Sequence, residues 1–118
     1  MSLIDLLPSE AQLVTVKPGE LIFQQGERGE VMYVVADGKV DIMIDGKVVD
    51  TIGADGVIGE MALIDSNPRS ASALARTRCT LIPLDEHRFT MLVAKQPQFA
   101  LTMMRVLAKR LRRMDTEL

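Results

Sequence analysis

Val31-Met32-Tyr33-Val34-Val35-Ala36-Asp37-Gly38-Lys39-Val40-Asp41-Ile42-Met43-Ile44-Asp45-Gly46-Lys47-Val48-Val49-Asp50-Thr51-Ile52 is a run of strands separated by two tight turns. Val31 to Ala36 is a continuous β-branched and aromatic run, the pattern of a buried strand. Asp37-Gly38 and Asp45-Gly46 are hairpin signals, because Asp and Gly tolerate the positive φ that a two-residue turn demands. Val40, Ile42 and Ile44 alternate with Asp41, Met43 and Asp45, which predicts a half-buried strand with the second set facing outward. Val48 to Ile52 predicts the next strand.

The same reading extends in both directions. Upstream, Gln12 to Val16 ends at Pro18-Gly19, and Leu21-Ile22-Phe23 ends at Gly26. Downstream, Gly53-Ala54-Asp55-Gly56 is a turn, and Ala71 to Ala75 and Thr80 to Leu84 are further strands. Many short strands at close spacing predict a sandwich, jelly roll or barrel. The period changes after residue 84. Asp85 is a good N-cap for a helix to about Gln96, and Pro97 suits the first turn of another. Ala100, Met103, Met104, Leu107, Leu111 and Met114 then fall on one helical face. The predicted fold is mainly β with C-terminal helices: a double-stranded, jelly-roll-like β-roll over about 11–84, then two helices over about 85–115. The length, 118 residues, fits one domain spanning 1–118.

Composition removes several function classes. One cysteine, Cys79, cannot build a disulfide framework, a four-cysteine zinc site or an iron–sulfur cluster. One histidine, His87, cannot supply a multi-histidine metal centre or a second base for hydrolytic chemistry. No metal, cofactor or enzymatic activity is therefore expected. Trp is absent and aromatics are 3 %, which argues against a stacking platform for single-stranded nucleic acid. Charged residues and glycines interrupt every apolar run, so no membrane span or signal peptide is expected, and the reading is cytoplasmic.

The charge is asymmetric. Residues 1–66 carry 4 basic and 12 acidic side chains, whereas residues 67–118 carry 10 and 4. The plain reading is a solvated basic face on the last helix, Arg105 to Arg113. The sharper one is an anion site after residue 66. Ile58-Gly59-Glu60-Met61-Ala62-Leu63-Ile64-Asp65-Ser66-Asn67-Pro68-Arg69-Ser70-Ala71 supplies a candidate. A glycine leads into a short helix whose first N–H groups are unpaired and favour an anion. Ala62 permits close approach to the backbone, and the planar fork of Arg69 suits a phosphate. Glu60 accepts only, so it suits a ligand that carries hydroxyls as well as phosphate. A sugar phosphate or nucleotide meets both demands.

Ile58-Gly59-Glu60-x-Ala62-Leu63, five residues, then Arg69-Ser70-Ala71-x-Ala73-x-Ala75 resembles the phosphate-binding cassette of cyclic nucleotide-binding domains. That family includes catabolite-activator-type regulators, protein kinase A and G regulatory domains and cyclic-nucleotide-gated channels. Gly26-Glu27-x-Gly29, Met32-Tyr33-Val34-Val35 and Gly38 resemble its first motif, with Phe23 as a departure read as a core change. The resemblance implies a sensor that binds a cyclic nucleotide and repacks its C-terminal helices. It implies that Glu60 accepts from the ribose 2′-hydroxyl and that Arg69 pairs with the cyclic phosphate. The backbone of Ala62 and the backbone or hydroxyl of Ser70 donate to phosphate oxygens, Gly59 permits the turn, and Met61 lies within the cassette. Ser70 leans toward cAMP, with cGMP as second candidate. The last helix is expected to cover the base through Leu107, Leu111 and Met114, and its Met/Leu face permits a homodimer. Related regulators use a helix-turn-helix for DNA, so no direct DNA binding is expected from these residues alone. The rival reading keeps the β-roll but makes it a protein-interaction module that docks a partner on the basic last helix.

Overall fold

The computed structural model describes residues 2–117, with side chains through residue 113. A single 3-10 turn, Ile4–Leu6, precedes eight strands: β1 (Val14–Val16), β2 (Leu21–Phe23), β3 (Val31–Asp37), β4 (Val40–Ile44), β5 (Lys47–Ile52), β6 (Val57–Ile58), β7 (Ser72–Ala75) and β8 (Cys79–Asp85). Helix α1 (Met61–Ile64) lies between β6 and β7, and α2 (Glu86–Lys95) and α3 (Gln98–Glu117) follow β8. The expected β-roll with trailing helices is the fold found. The two-residue strand β6 is an addition, too short to show any period.

The strands form two antiparallel sheets, ordered β1-β8-β3-β6 and β2-β7-β4-β5. The central pair β3 and β8 sets Met32 opposite Leu84 and Val34 opposite Ile82. These two strands read as unbroken apolar runs because both of their faces are covered. Met32, Val34, Ile82 and Leu84 point to the helices, where they meet Leu92 of α2 and Phe99 and Met103 of α3. Val35 and Leu81 point the other way, between the sheets, where they meet Val40, Ile52, Ile58, Ala73 and Cys79. The order of layers is helices, first sheet, second sheet. Phe99 is completely buried, which is worth roughly 1.5–3 kcal/mol of transfer energy.

Local signals explain the ends of the elements. The Asp85 carboxylate accepts the Arg88 N–H at 2.8 Å, the expected cap of α2. Asp45 takes φ 51° in the β4–β5 hairpin turn, as that turn requires. One alternation fails. Asp41, expected to face solvent, is only 7 % exposed. Its carboxylate accepts Thr51 Oγ1 at 2.8 Å and Arg76 Nε at 3.1 Å, so burial is offset by two partners.

The predicted stripe of α3 also splits. Phe99 and Met103 are buried and Val106 and Leu107 pack on the core, while Met104 and Leu111 are 58 % and 63 % exposed. The helix is rotated by roughly one position because Phe99, the largest apolar group in its first turn, takes the deepest place. Met114 has its side chain outside the described residues.

Candidate functional site

The two sequence motifs meet through the backbone. The Arg69 N–H donates to Glu27 O and the Gly26 N–H donates to Arg69 O, both at 2.8 Å. This pair of bonds welds the turn after β2 to the loop before β7 that carries Arg69. The side chain then runs past two glycines. An added Cβ at Gly29 would lie 2.3 Å from Arg69 Nε, and one at Gly59 would lie 2.6 Å from Nη1. Gly59 is also held at φ 70°, where a side chain is strained. Gly29 and Gly59 are the walls of a slot.

Arg69 Nη2 donates to Val31 O at 2.8 Å and Nη1 to Gly59 O at 3.3 Å. Its Cζ sits 4.2 Å above the ring of Phe23, a favourable cation–π arrangement. Phe23 is therefore the floor of the slot as well as a core residue. The Arg69 Nε is buried and has no acceptor among the described residues. Burial pushes the guanidinium pKa below its ordinary value, and Tyr33, Glu27 and Glu60 oppose that shift. Arginine stays charged under ordinary conditions. A half-buried cation with an unused donor gains from a nearby anion.

Glu60 stands at the N-cap position of α1 without a side-chain capping bond and is 9 % exposed. Its Oε1 lies 3.2 Å from Arg110 Nη2 of α3, within ion-pair distance. The contact is not aligned as a hydrogen bond, and Oε1 has no such donor among the described residues. Arg110 Nη1 donates to Val57 O at 2.9 Å. Its Nε lies 3.9 Å from Asp50 of β5, whose carboxylate also takes Arg113 at 2.5 Å. Arg110 was expected on a solvated face. Its spacing after Phe99, Met103 and Val106 extends the packed stripe of α3, and that is the signal that would have found it.

A cavity of about 240 Å³ joins these groups. Its wall holds every cassette residue singled out from sequence: Gly59, Glu60, Met61, Ala62, Arg69 and Ser70. Phe23, Ile42, Ile58, Asp65, Asn67, Pro68, Ala71 and Arg110 complete it. Leu107 packs on the core and Leu111 faces solvent, and neither lines the cavity. The amides expected to be unpaired are partly engaged: Ala62 N–H donates to Gly59 O and Leu63 N–H to Glu60 O, each at 3.1 Å. A second cavity of about 510 Å³ lies between the N-terminal turn and α2 and contains no cassette residue. Among the described residues no group of three His, Cys, Asp or Glu side chains could hold a metal ion. No described helix is long and apolar enough to cross a membrane.

A cation slot beside a buried carboxylate, built by two separated motifs, is the arrangement expected for a nucleotide's phosphate and sugar. The chain is 31 % identical to the CRP-like cAMP-activated global transcriptional regulator of Mycobacterium tuberculosis, over 99 % of this chain and 54 % of that one. The crystal structure of the Thermus thermophilus catabolite activator protein superposes with a TM-score of 0.79 and 34 % identity, covering 98 % of this chain and 56 % of that one. A cyclic nucleotide-binding domain from Methylobacillus flagellatus shares the fold with a TM-score of 0.80 at 24 % identity, over 93 % and 67 % of the two chains. The chain spans about half the length of the curated relatives it matches over nearly all its residues. The family model for the cyclic nucleotide-binding domain matches residues 13–96. The chain belongs to the cyclic nucleotide-binding domain family.

Proposed function

We propose that this chain is a sensor that binds cAMP in preference to cGMP and reports occupancy through α3. The observation that carries the reading is the slotted Arg69 guanidinium, with its buried, unpaired Nε, in the same cavity wall as the buried Glu60 carboxylate. Arg69 holds the cyclic phosphate. Glu60 accepts the ribose 2′-hydroxyl, and the Ser70 hydroxyl, exposed at the cavity edge, donates to a phosphate oxygen. The Ala62 amide joins only by sharing or exchanging its bond to Gly59 O. The cAMP preference rests on Ser70 and on the cAMP named for the mycobacterial relative.

The cavity is below the roughly 300–1,000 Å³ of a drug-sized site. It takes the phosphosugar and leaves the purine at its mouth. Arg110 is the α3 residue already there. A ligand that engages Glu60 and brings a phosphate near Arg110 changes the contacts of α3, and only such differential contacts can shift its population. Leu101, Met104, Ala108 and Leu111 form an exposed stripe on α3 at heptad spacing. That stripe is the proposed homodimer seam.

The test is calorimetric titration of cAMP and cGMP into wild type and Arg69→Ala. Saturable binding, tighter for cAMP, with a roughly 10- to 150-fold loss in a folded Arg69→Ala is expected. A folded wild type that binds neither nucleotide overturns the function. Unchanged affinity in Arg69→Ala overturns the role of that side chain.

A further inference from the structure

Leu107 is the last apolar side chain of α3, among the described residues, that packs on the core. Three residues later the helix turns arginines toward the sheet. Arg110 and Arg113 are three apart and lie on the same face. Both reach Asp50 on β5: Arg113 Nη2 lies 2.5 Å from Oδ1, and Arg110 Nε lies 3.9 Å from Oδ2. Asp50 Oδ1 also accepts the N–H of Thr51 at 2.8 Å, which fixes the carboxylate on its own strand. Beyond Leu107 the helix is therefore tied to the sheet by charge. The same Arg110 guanidinium faces Glu60 and the Val57 carbonyl.

We infer that Asp50 is a positioning residue of the nucleotide site, acting through Arg110. It lies outside the cavity wall and outside both sequence motifs. Its carboxylate holds the end of α3 down by two arginines and so keeps Arg110 against Glu60. Glu60 is a buried carboxylate in a cavity that receives an anion. Arg110 offsets its charge there, and when Arg110 leaves, the carboxylate repels the phosphate. The inference rests on the proposed nucleotide function. It adds a link from the β4–β5 hairpin to α3 through the sugar end of the site.

The sign of the effect separates this role from plain electrostatics. Asp50→Asn removes a negative charge near an anion site, which on charge alone tightens binding. Loss of positioning weakens it. Asparagine keeps an acceptor for the Thr51 N–H, so β5 keeps its local geometry. Two measurements are made on Asp50→Asn, Arg110→Gln and the double variant. The first is hydrogen exchange of the α3 amides at residues 108–113 without nucleotide. The second is calorimetric affinity for cAMP.

Asp50→Asn is expected to speed exchange at those amides and to weaken cAMP binding, each about two- to fivefold. The binding effect disappears in the Arg110→Gln background. Unchanged exchange, tighter binding, or an effect that simply adds to that of Arg110→Gln overturns the inference. Failure of wild type to bind any cyclic nucleotide overturns the function and this role together. In that case the exchange data still report separately on whether the clamp holds the helix.

Discussion

Gly29→Ala tests the slot without substituting a charged group. The Cβ of alanine would lie 2.3 Å from both Nε and Nη2 of Arg69 and 2.4 Å from Cζ. Ordinary contact is about 3.5–4.0 Å, so the guanidinium must move by more than about 1 Å. The bonds to Val31 O at 2.8 Å and Gly59 O at 3.3 Å do not survive such a shift. Gly29 is not among the positive-φ glycines, so alanine brings no backbone strain. The displaced group is the far end of a flexible side chain and can rehydrate at the surface. The stability cost is the net worth of ordinary hydrogen bonds, about 1 kcal/mol, or about 3–6 °C in Tm. On the proposed function, the binding cost is a charged phosphate contact, about 1.5–3 kcal/mol, or roughly 10- to 150-fold in Kd. Thermal denaturation and calorimetry with cAMP, on Gly29→Ala alone and with Arg69→Ala, read both. The binding penalty should vanish once Arg69 is already alanine. Wild-type affinity in Gly29→Ala would refute the claim that this glycine seats the phosphate-binding cation.

Two further outcomes follow from features away from the cavity. Asp85→Ala removes the cap on α2 and should cost about 1 kcal/mol of stability by thermal denaturation, with cAMP affinity unchanged because α2 contributes nothing to the cavity wall; an unaltered Tm would contradict the capping role. Sedimentation velocity should show a dimer that Leu111→Glu converts to a monomer, since Leu111 is the most exposed large apolar residue of the stripe. A wild type that sediments as a monomer with and without cAMP removes the seam.

Features fixed within a few residues are legible in the sequence. The Asp45-Gly46 turn, the Asp85 cap and the change of period after residue 84 each depend on local backbone preference, whereas Asp37-Gly38, read as a hairpin, is a crossover: β3 and β4 lie in different sheets and do not pair. The cassette was legible for a related reason. Its glycine, carboxylate and arginine occupy one short segment, and all six residues singled out there line the cavity. Two misreadings and one incomplete reading share a cause. Asp41 is buried because Arg76 and Thr51 happen to flank it. Phe23 looked like a simple core change, yet it lies under a guanidinium brought by the distant Arg69. Arg110 looked solvated because its carbonyl acceptor is 53 residues away.

The sequence alone determined seven of the eight strands, the Asp45-Gly46 turn and the helix cap, and it picked out Glu60 and Arg69, which the structure brings to one cavity wall. Tertiary structure alone decided the order β1-β8-β3-β6, the two-residue strand β6, the rotation of α3 and the clamp of Arg110 and Arg113 on Asp50, whose arginine–aspartate bond spans 63 residues. Turn and helix preferences are energies of neighbouring residues and leave a local pattern. Pairing order, helix rotation and ion-pair partners are settled only when the chain closes on itself, where burial of groups such as Phe99 outweighs each local choice.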